Sequence, residues 1–328
     1  MANFKSLEKN LILEINASTE KSLKNYVKYI LSYFLDVWYN ILLLLKGNKI
    51  KNNKKQFYVS ACAIFKDESP FLREWIEYHK LIGIEHFYMY NNFSSDNYKQ
   101  VLEPYINSGL VTLKEWPYEC GQISAYEDCY LSCRSSTNWL TYIDIDEYIC
   151  PYYKHSIKEW LIKYEKYPSV ILYWKMFGSS GKIEHDYNQF LIEQYTNSWE
   201  KLYGVGKHIM NTSYTPVKIY HHYLFSYVNF LGFKFKMPSI NEYKYFVPYT
   251  NLHRSKANHT IQLNHYWSKA YNEYIKKKLK GDVFYPKEVQ TRTHEILMNF
   301  EKKNIHSDYK IFKYLLDLKL SISKSDEI

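Results

Sequence analysis

The sequence predicts an α/β fold: a mostly parallel sheet flanked by helices, with an N-terminal amphipathic helix before it and C-terminal helices after it. From residue 57 onward, short apolar stretches with strand character alternate with helical stretches. Polar segments follow several of the strands. Strands that alternate with helices pair in parallel, and ligands bind beyond their carboxyl ends. The chain of 328 residues, 46% hydrophobic and 23% charged, can bury a substantial core.

The boundaries of these elements follow from local signals. A strand is predicted at 57–65, and the helix at 69–81 begins with Ser69 as its cap and Pro70 in its first turn. Gly83 suits the end of that helix. The remaining elements are strands at 86–90, 110–113, 140–143 and 169–174, and helices at 98–106 and 122–133.

An acidic motif follows the strand at 140–143. In a continuing strand Asp144 and Asp146 would share a face, with Glu147 after them. Paired carboxylates suit Mn²⁺ or Mg²⁺, and a solvated turn is the alternative. The loops at 66–68 and 91–96 belong to the same predicted sheet edge, which favours the metal site.

Five segments in a fixed order resemble glycosyltransferase family 92 and its bacterial relatives. They are residues 63–79, 83–92, 143–147, 176–181 and 264–266. The resemblance covers about residues 57 to 280. It implies a GT-A fold, a nucleotide-sugar donor bound with Mn²⁺ (or Mg²⁺), and transfer with inversion. UDP-galactose is the donor expected by analogy with the family.

The resemblance also implies roles for individual residues. Asp146 is the expected direct metal ligand, Asp144 contacts metal or ribose, and His265 is a further metal ligand. Without the resemblance, His265 would be read as a hydrogen-bonded core residue. Asn91 stands where relatives often have Asp, a position suited to the uracil edge. The other expected donor contacts lie in the first loop and at a helix start: Phe65, Lys66, Glu68, Gln122 and Tyr126.

Further candidates come from chemistry rather than from motif position. Lys207 could pair with donor phosphate, but an exposed lysine is the default expectation. Inverting transfer needs a carboxylate to deprotonate the acceptor hydroxyl, and the candidates are Glu184, Asp186 and Glu193. Adjacent His221 and His222 would face opposite ways in a strand, so they are expected to be structural or acceptor-facing.

The N-terminal arm contains an apolar segment that could contact a membrane. Residues 25–45 are strongly apolar, yet Lys28, Ser32, Asp36 and Asn40 form one polar stripe on a helix. An Asp in mid-bilayer costs about 3 kcal/mol, which disfavours a single-pass anchor. The open alternatives are a helix on an anionic membrane surface and a helix packed on the catalytic domain. The ten lysines and four acidic residues of residues 1–56 fit an anionic partner.

Three regions are therefore expected: a basic, apolar arm and linker at 1–56, a catalytic domain at 57–267, and a helical extension at 268–328. The extension has predicted helices at 271–279, 288–300 and 309–318. The run Lys276, Lys277, Lys278 with Lys280 is expected to be a solvated face or a site for anionic phosphate or lipid headgroups. Five cysteines without a Cys-x-x-Cys pair indicate reduced thiols and a cytoplasmic protein.

The predicted function is metal-dependent transfer of a hexose, galactose favoured, from a UDP-sugar to a glycan or lipid-linked glycan in bacterial surface polysaccharide or lipopolysaccharide synthesis. The enzyme would be peripheral at the cytoplasmic membrane. A metal-dependent phosphohydrolase or nucleotidyltransferase that uses the Asp pair is the alternative. Nucleic acid is not an expected partner, because the excess charge lies in the arm rather than among the aromatic residues.

Overall fold

The architecture was obtained as a computed structural model. It describes residues 23–46, 55–220, 222–249, 252–256, 258–281, 283–284, 286 and 293–326. Residues 1–22 of the arm, most of the predicted linker, His221 and the start of the helix predicted at 288–300 lie outside the described residues.

Strands and helices alternate through the first half of the chain. The strands are β1 Phe57–Phe65, β2 His86–Asn91, β3 Val111–Glu115, β4 Thr137–Tyr142, β5 Glu147–Pro151, β6 Ser169–Phe177, β7 Asn197–Ser198, β8 Tyr203–Asn211, β9 Thr215–Lys218, β10 Phe225–Phe230, β11 Phe233–Pro238, β12 Ile261–Tyr266 and β13 His306–Ser307. The helices are α1 Leu23–Lys46, α2 Ser69–Leu81, α3 Tyr98–Asn107, α4 Gln122–Cys133, α5 Ile157–Leu161, α6 Leu191–Gln194, α7 Tyr271–Lys280, α8 His294–Glu301 and α9 Leu315–Asp326.

The main sheet has a parallel half and a mixed half. In space β3, β2, β1 and β4 lie side by side and pair in parallel. Beyond β4, β8 runs antiparallel between β4 and β6, and β12 pairs parallel with β6 and antiparallel with β5. The α/β class and the flanking helices predicted from the sequence are confirmed. The strands β9, β10 and β11 form a separate antiparallel sheet.

Helix α2 fastens the acidic segment to the core. Its Trp75 is fully buried, and the indole N–H donates to the backbone oxygens of Asp144 at 3.1 Å and Glu147 at 3.0 Å. The aromatic ring therefore fixes the backbone at the carboxyl end of β4. On the other side of α2, helix α9 packs against it and Ser321 donates to Glu77 at 2.7 Å.

Helix α1 packs on the catalytic domain through its polar stripe. Ser32 is buried, and Asp36 pairs with Arg254 and accepts a hydrogen bond from the Phe246 N–H at 2.8 Å. Leu42 and Leu43 join the main hydrophobic core. Of the two alternatives for this helix, contact with the domain is observed, and the stripe is the face that makes it.

The strand before the acidic motif ends one residue earlier than predicted. It ends at Tyr142, and Asp144 and Asp146 lie in the turn between β4 and β5. The prediction that strand alternation puts both carboxylates on one face was therefore wrong. The turn closes through the Glu147 N–H, which donates to the Asp144 carbonyl at 3.0 Å, and so sends the two side chains to different partners.

Candidate active site

Asp144 lies at the centre of a predicted group of residues. Its carboxylate accepts hydrogen bonds from Lys207 at 2.9 Å, Gln122 at 3.3 Å and Tyr126 at 3.4 Å. Gln122 begins helix α4 and Lys207 lies on β8, so three elements converge here. Each of these partners had been proposed from the sequence as a contact of the donor, and the structure brings all three to Asp144.

Lys207 is a buried cation, and the expectation of an exposed lysine was wrong. Its side chain is 2% exposed, and it lies 3.8 Å from Glu147 as well as beside Asp144. Burial alone would lower the pKa of the ammonium, but the charges of Asp144 and Glu147 raise it above its ordinary value. Lys207 therefore stays charged and holds Asp144 in place.

Glu147 stabilises the turn between β4 and β5 through the hydrogen bonds of its carboxylate. It is fully buried, its carboxylate accepts the Asp144 N–H at 2.8 Å, and the Trp174 indole N–H donates to it at 2.6 Å. Burial, reinforced by the neighbouring Asp144 and Asp146 charges, raises its pKa well above the ordinary value despite Lys207. The residue positions Asp144.

Asp146 faces a different set of groups. One oxygen accepts from the Lys277 ammonium of α7. The other is buried without a hydrogen-bond partner, and the Nε2 of His265 lies 3.7 Å from it. Burial opposes ionisation of Asp146, yet Lys277 and His265 hold the pKa of this carboxyl far below its usual range. Asp146 is an anion at neutral pH.

His265 occupies the end of β12 beside Trp174. Its ring packs on the Trp174 ring with centroids 4.6 Å apart, and Nδ1 is buried without a partner. Burial lowers the pKa of the imidazole to about 4. The ring is therefore neutral at pH 7, which is the form that binds metals.

Two lysines of the α7 run, Lys277 and Lys280, face the site, whereas Lys276 and Lys278 are exposed. Lys280 donates to the Glu68 carboxylate at 2.6 Å and to the Lys66 carbonyl at 2.8 Å, and Lys269 donates to Glu68 at 3.2 Å. Although burial opposes ionisation, Lys269 and Lys280 lower the pKa of Glu68 to about 2. The Lys66 ammonium in turn donates to the Lys280 carbonyl at 3.0 Å.

Asn91 and Phe65, two of the residues predicted to contact the nucleotide-sugar donor, contact other residues of the protein. The Asn91 amide donates to Tyr98 at 2.8 Å and to Glu115 at 2.6 Å, and its oxygen accepts the Ser94 N–H at 3.0 Å. Phe65 is buried and packs edge-on against Tyr98. In this arrangement Asn91 shapes the loop after β2.

The three candidate bases have hydrogen-bond or ion-pair partners other than Asp144 and Asp146. Asp186 accepts the Asn188 N–H at 3.0 Å in a turn, exposed Glu184 accepts from Asn272 at 3.4 Å, and Glu193 pairs with Lys319 at 2.6 Å. The segment of Glu184 and Asp186 borders α7, because the Tyr271 N–H donates to the Lys182 carbonyl.

Sequence reasoning missed Lys269, which precedes α7, and left the roles of Lys277 and Lys280 on α7 open. Lys269 had no recognisable motif, whereas the spacing of Lys277 and Lys280 was visible but equally compatible with a solvated face. Helical spacing puts residues three apart on one side, which is how Lys277 and Lys280 both reach the acidic groups.

The side chains around Asp144 and Asp146 offer an incomplete set of ligands for a divalent cation. Within the described part of the chain, no three or more His, Cys, Asp or Glu side chains gather into a complete metal site. The partnerless oxygen of Asp146 beside neutral His265 nevertheless fits one side of a cation. Mg²⁺ and similar ions commonly take few protein ligands and complete their shell with water and substrate phosphate. The residues present fit such an ion.

Comparison with known proteins identifies the family. The family model for glycosyltransferase family 92 matches residues 55–279. The chain belongs to glycosyltransferase family 92, and the family resemblance predicted from the sequence motifs is confirmed.

Individual relatives match over shorter segments. A glycosyltransferase family 92 protein of Ricinus communis is 30% identical over 31% of this chain and 18% of its own length. A rice member is 35% identical over 29% of this chain and 17% of its own. Galactan beta-1,4-galactosyltransferase GALS2 of Arabidopsis thaliana is 27% identical over 38% of this chain and 26% of its own. The match thus spans about a fifth of the length of the first relatives.

Among solved structures, S. aureus TarS (residues 1–349) aligns with a TM-score of 0.32 and 13% identity, covering 48% of each chain. A second TarS structure, in complex with UDP, aligns with a TM-score of 0.31 and 12% identity, covering 48% of this chain and 47% of that one.

Proposed function

We propose that this protein transfers a hexose, with galactose favoured, from a UDP-sugar to a glycan acceptor with inversion. The observation that carries the proposal is the pair formed by Asp146 and His265, whose facing atoms lie 3.7 Å apart with a buried, partnerless carboxylate oxygen. The galactan galactosyltransferase among the relatives supports galactose as the sugar.

Asp146 and His265 would hold Mn²⁺ or Mg²⁺, and Asp144 would contact the metal or the ribose. The bound ion would neutralise the departing diphosphate. Lys207 and Glu147 keep Asp144 oriented through a salt bridge and a backbone hydrogen bond. The ammonium groups of Lys269, Lys277 and Lys280 surround the same acidic edge and would attract the donor phosphates.

The general base is proposed to be Glu184 or Asp186. Both lie in the segment bordering α7, the helix that brings Lys277 to Asp146, whereas Glu193 pairs with Lys319 of α9. A base in this segment would take the proton of the acceptor hydroxyl as that oxygen attacks the anomeric carbon.

The acceptor is proposed to be a glycan or lipid-linked glycan of a bacterial surface polysaccharide or lipopolysaccharide. We also propose a cytoplasmic enzyme, peripheral at the membrane. Helix α1 supports a membrane location, since Leu23–Leu45 is long and apolar enough by length and composition to cross a membrane, and many of its apolar side chains are exposed.

Calorimetric titration of UDP with and without Mn²⁺ tests the donor site. We expect binding that depends on Mn²⁺ in the parent protein and is lost in Asp146→Asn, which keeps the shape but removes the charge. Asp128→Asn is the matched control, because Asp128 pairs with Lys114 outside the site. UDP binding that ignores both Mn²⁺ and Asp146→Asn would overturn the proposal.

Product analysis separates the proposal from its alternative. Incubation with UDP-galactose should release UDP. Release of UMP and galactose 1-phosphate instead would indicate a phosphohydrolase, and release of diphosphate from UTP and galactose 1-phosphate would indicate a nucleotidyltransferase that uses the same acidic residues.

A further inference from the structure

Helix α1 has the reverse of the usual amphipathic arrangement. Its polar stripe faces the protein, where Ser32 is buried and Asp36 pairs with Arg254. The exposed side chains are the apolar ones: Leu23, Val27, Ile30, Leu31, Phe34, Val37, Trp38, Ile41, Leu44 and Leu45. A helix on the surface of a soluble domain normally turns such residues toward the core. We call this set the α1 apolar face.

The α1 apolar face is one continuous stripe. Its members recur every three or four residues from Leu23 to Leu45, so they lie on one side of the helix over a length of about 33 Å. Phe34 is 69% exposed and Leu44 is 74% exposed. A patch of this size on a protein surface marks a contact with another apolar phase.

A neighbouring hairpin extends the same surface. Strand β11 touches α1 where Phe235 packs edge-on against Trp38, with centroids 5.9 Å apart. At the tip between β10 and β11, Leu231 is 79% exposed and Phe233 is 68% exposed. Two apolar side chains thus project into solvent beside the helix.

The hairpin tip carries an apolar residue that its backbone does not favour. Leu231 has a φ of 49° and Gly232 a φ of 82°, the conformation for which two-residue turns select Asn or Gly. Leucine there accepts backbone strain, and its exposure means that it gains no packing within the described residues. A contact beyond the described residues would account for such a residue.

The charges around this surface are mainly positive. Lys24 is exposed at the start of α1. Lys234 and Lys236 are exposed on β11. Apolar side chains bordered by lysines match the boundary between acyl chains and anionic headgroups in a bilayer.

We propose that the α1 apolar face and the tip residues Leu231 and Phe233 form a surface that lies flat on a bilayer containing anionic lipid. The helix is long enough to span, but its contacts with the domain run from Ser32 to Leu43 and would break in a spanning helix. This inference deepens the peripheral location proposed above, and it does not require the transferase reaction.

Vesicle sedimentation of the full chain tests the proposal. The probes are vesicles of phosphatidylcholine alone and vesicles of phosphatidylcholine with phosphatidylglycerol. We expect stronger binding to the anionic vesicles, and a need for about tenfold more lipid in Phe34→Glu, because a buried phenylalanine contact is lost. Leu279→Glu is the matched control, since Leu279 is 80% exposed on α7.

The variant Leu231→Asn separates binding from folding. Asn suits the turn backbone, so thermal stability should be equal or higher while vesicle affinity falls. Equal vesicle binding by the parent, Phe34→Glu and Leu231→Asn would overturn the proposal. So would a lower melting temperature of Phe34→Glu without lipid, which would mean that protein covers this face, either residues 1–22 or a second copy.

Two further outcomes distinguish the alternatives. Cell membranes washed with alkaline carbonate should release the protein, and retention would overturn the flat arrangement in favour of a spanning helix. Mn²⁺-dependent UDP binding by Phe34→Glu in the absence of vesicles should equal that of the parent. If lipid binding is lost while UDP binding is kept, the defect lies in this surface. A defect in the donor site would instead be detected as a loss of UDP binding.

Discussion

Replacement of Lys277 by methionine tests whether the Lys277 ammonium occupies the position that a bound divalent cation would take. Lys277 pairs with Asp146, whose side chain is 3% exposed, while the lysine itself is 26% exposed. Lys277→Met keeps most of the side-chain volume and removes the charge. Asp146 then remains a buried carboxylate with one of its two oxygens deprived of its partner.

The expected cost follows from burial. Removing one partner of a buried ion pair costs about 3–5 kcal/mol, and partial exposure of Lys277 reduces this to about 2–3 kcal/mol. For a chain of this size that corresponds to a fall of about 4–6 °C in melting temperature. An added divalent cation at about a hundred times its Kd contributes about 2.7 kcal/mol and should restore most of the loss.

The assay is thermal unfolding with and without Mn²⁺. Mn²⁺ should raise the melting temperature of Lys277→Met more than that of the parent, because in the parent the ion must displace Lys277. Lys278→Met is the control on the same helix, since Lys278 is exposed. The reasoning fails if Lys277→Met melts like the parent, if Mn²⁺ shifts both equally, or if the double variant with Asp146→Asn still responds to Mn²⁺.

Two further predictions concern charge and backbone packing. Glu68 has a folded pKa of about 2, so its ion pairs stabilise the protein above the unfolded pKa of about 4.5 and are lost as pH falls toward 2. Glu68→Gln should therefore be less stable than the parent by up to about 3 kcal/mol near neutral pH, and in denaturant titrations the gap should narrow below about pH 4.5 and close near pH 2; a gap independent of pH would contradict this. Gly206 lies where an added Cβ would be 1.8 Å from the Leu172 carbonyl oxygen. Gly206→Ala should cost about 3 kcal/mol or more in urea unfolding, whereas Gly181→Ala, in open space with a φ of 75°, should cost only about 1 kcal/mol; equal losses would refute the clash.

The division into an arm, a catalytic domain and a C-terminal extension stays a prediction, as do the metal and donor contacts of individual residues. The described part of the C-terminal region is closely joined to the rest. Strand β13 pairs with β7, α9 packs on α2, and α7 supplies Lys277 to Asp146. Limited proteolysis near residue 268 would show whether the extension separates from the catalytic domain.

The sequence by itself determined the alternation of elements, because the periodicity of apolar residues and the caps of helices are local properties. Strand β1 at Phe57–Phe65, helix α2 at Ser69–Leu81 and helix α4 at Gln122–Cys133 have the predicted bounds. Gln122, Tyr126 and Asp144 were predicted to lie near the donor from the family resemblance, whereas the pairing of Lys207 with Asp144 was not predicted.

Tertiary structure decided the features that depend on what lies opposite a side chain. Local pattern could not reveal that Lys277 and Lys280 turn inward, because their acidic partners are more than a hundred residues away in the sequence. The polar stripe of α1 could have faced water or protein. It faces the protein, where Asp36 pairs with Arg254. Exposure of the apolar face followed from that pairing, because one helix cannot bury both sides against a single domain.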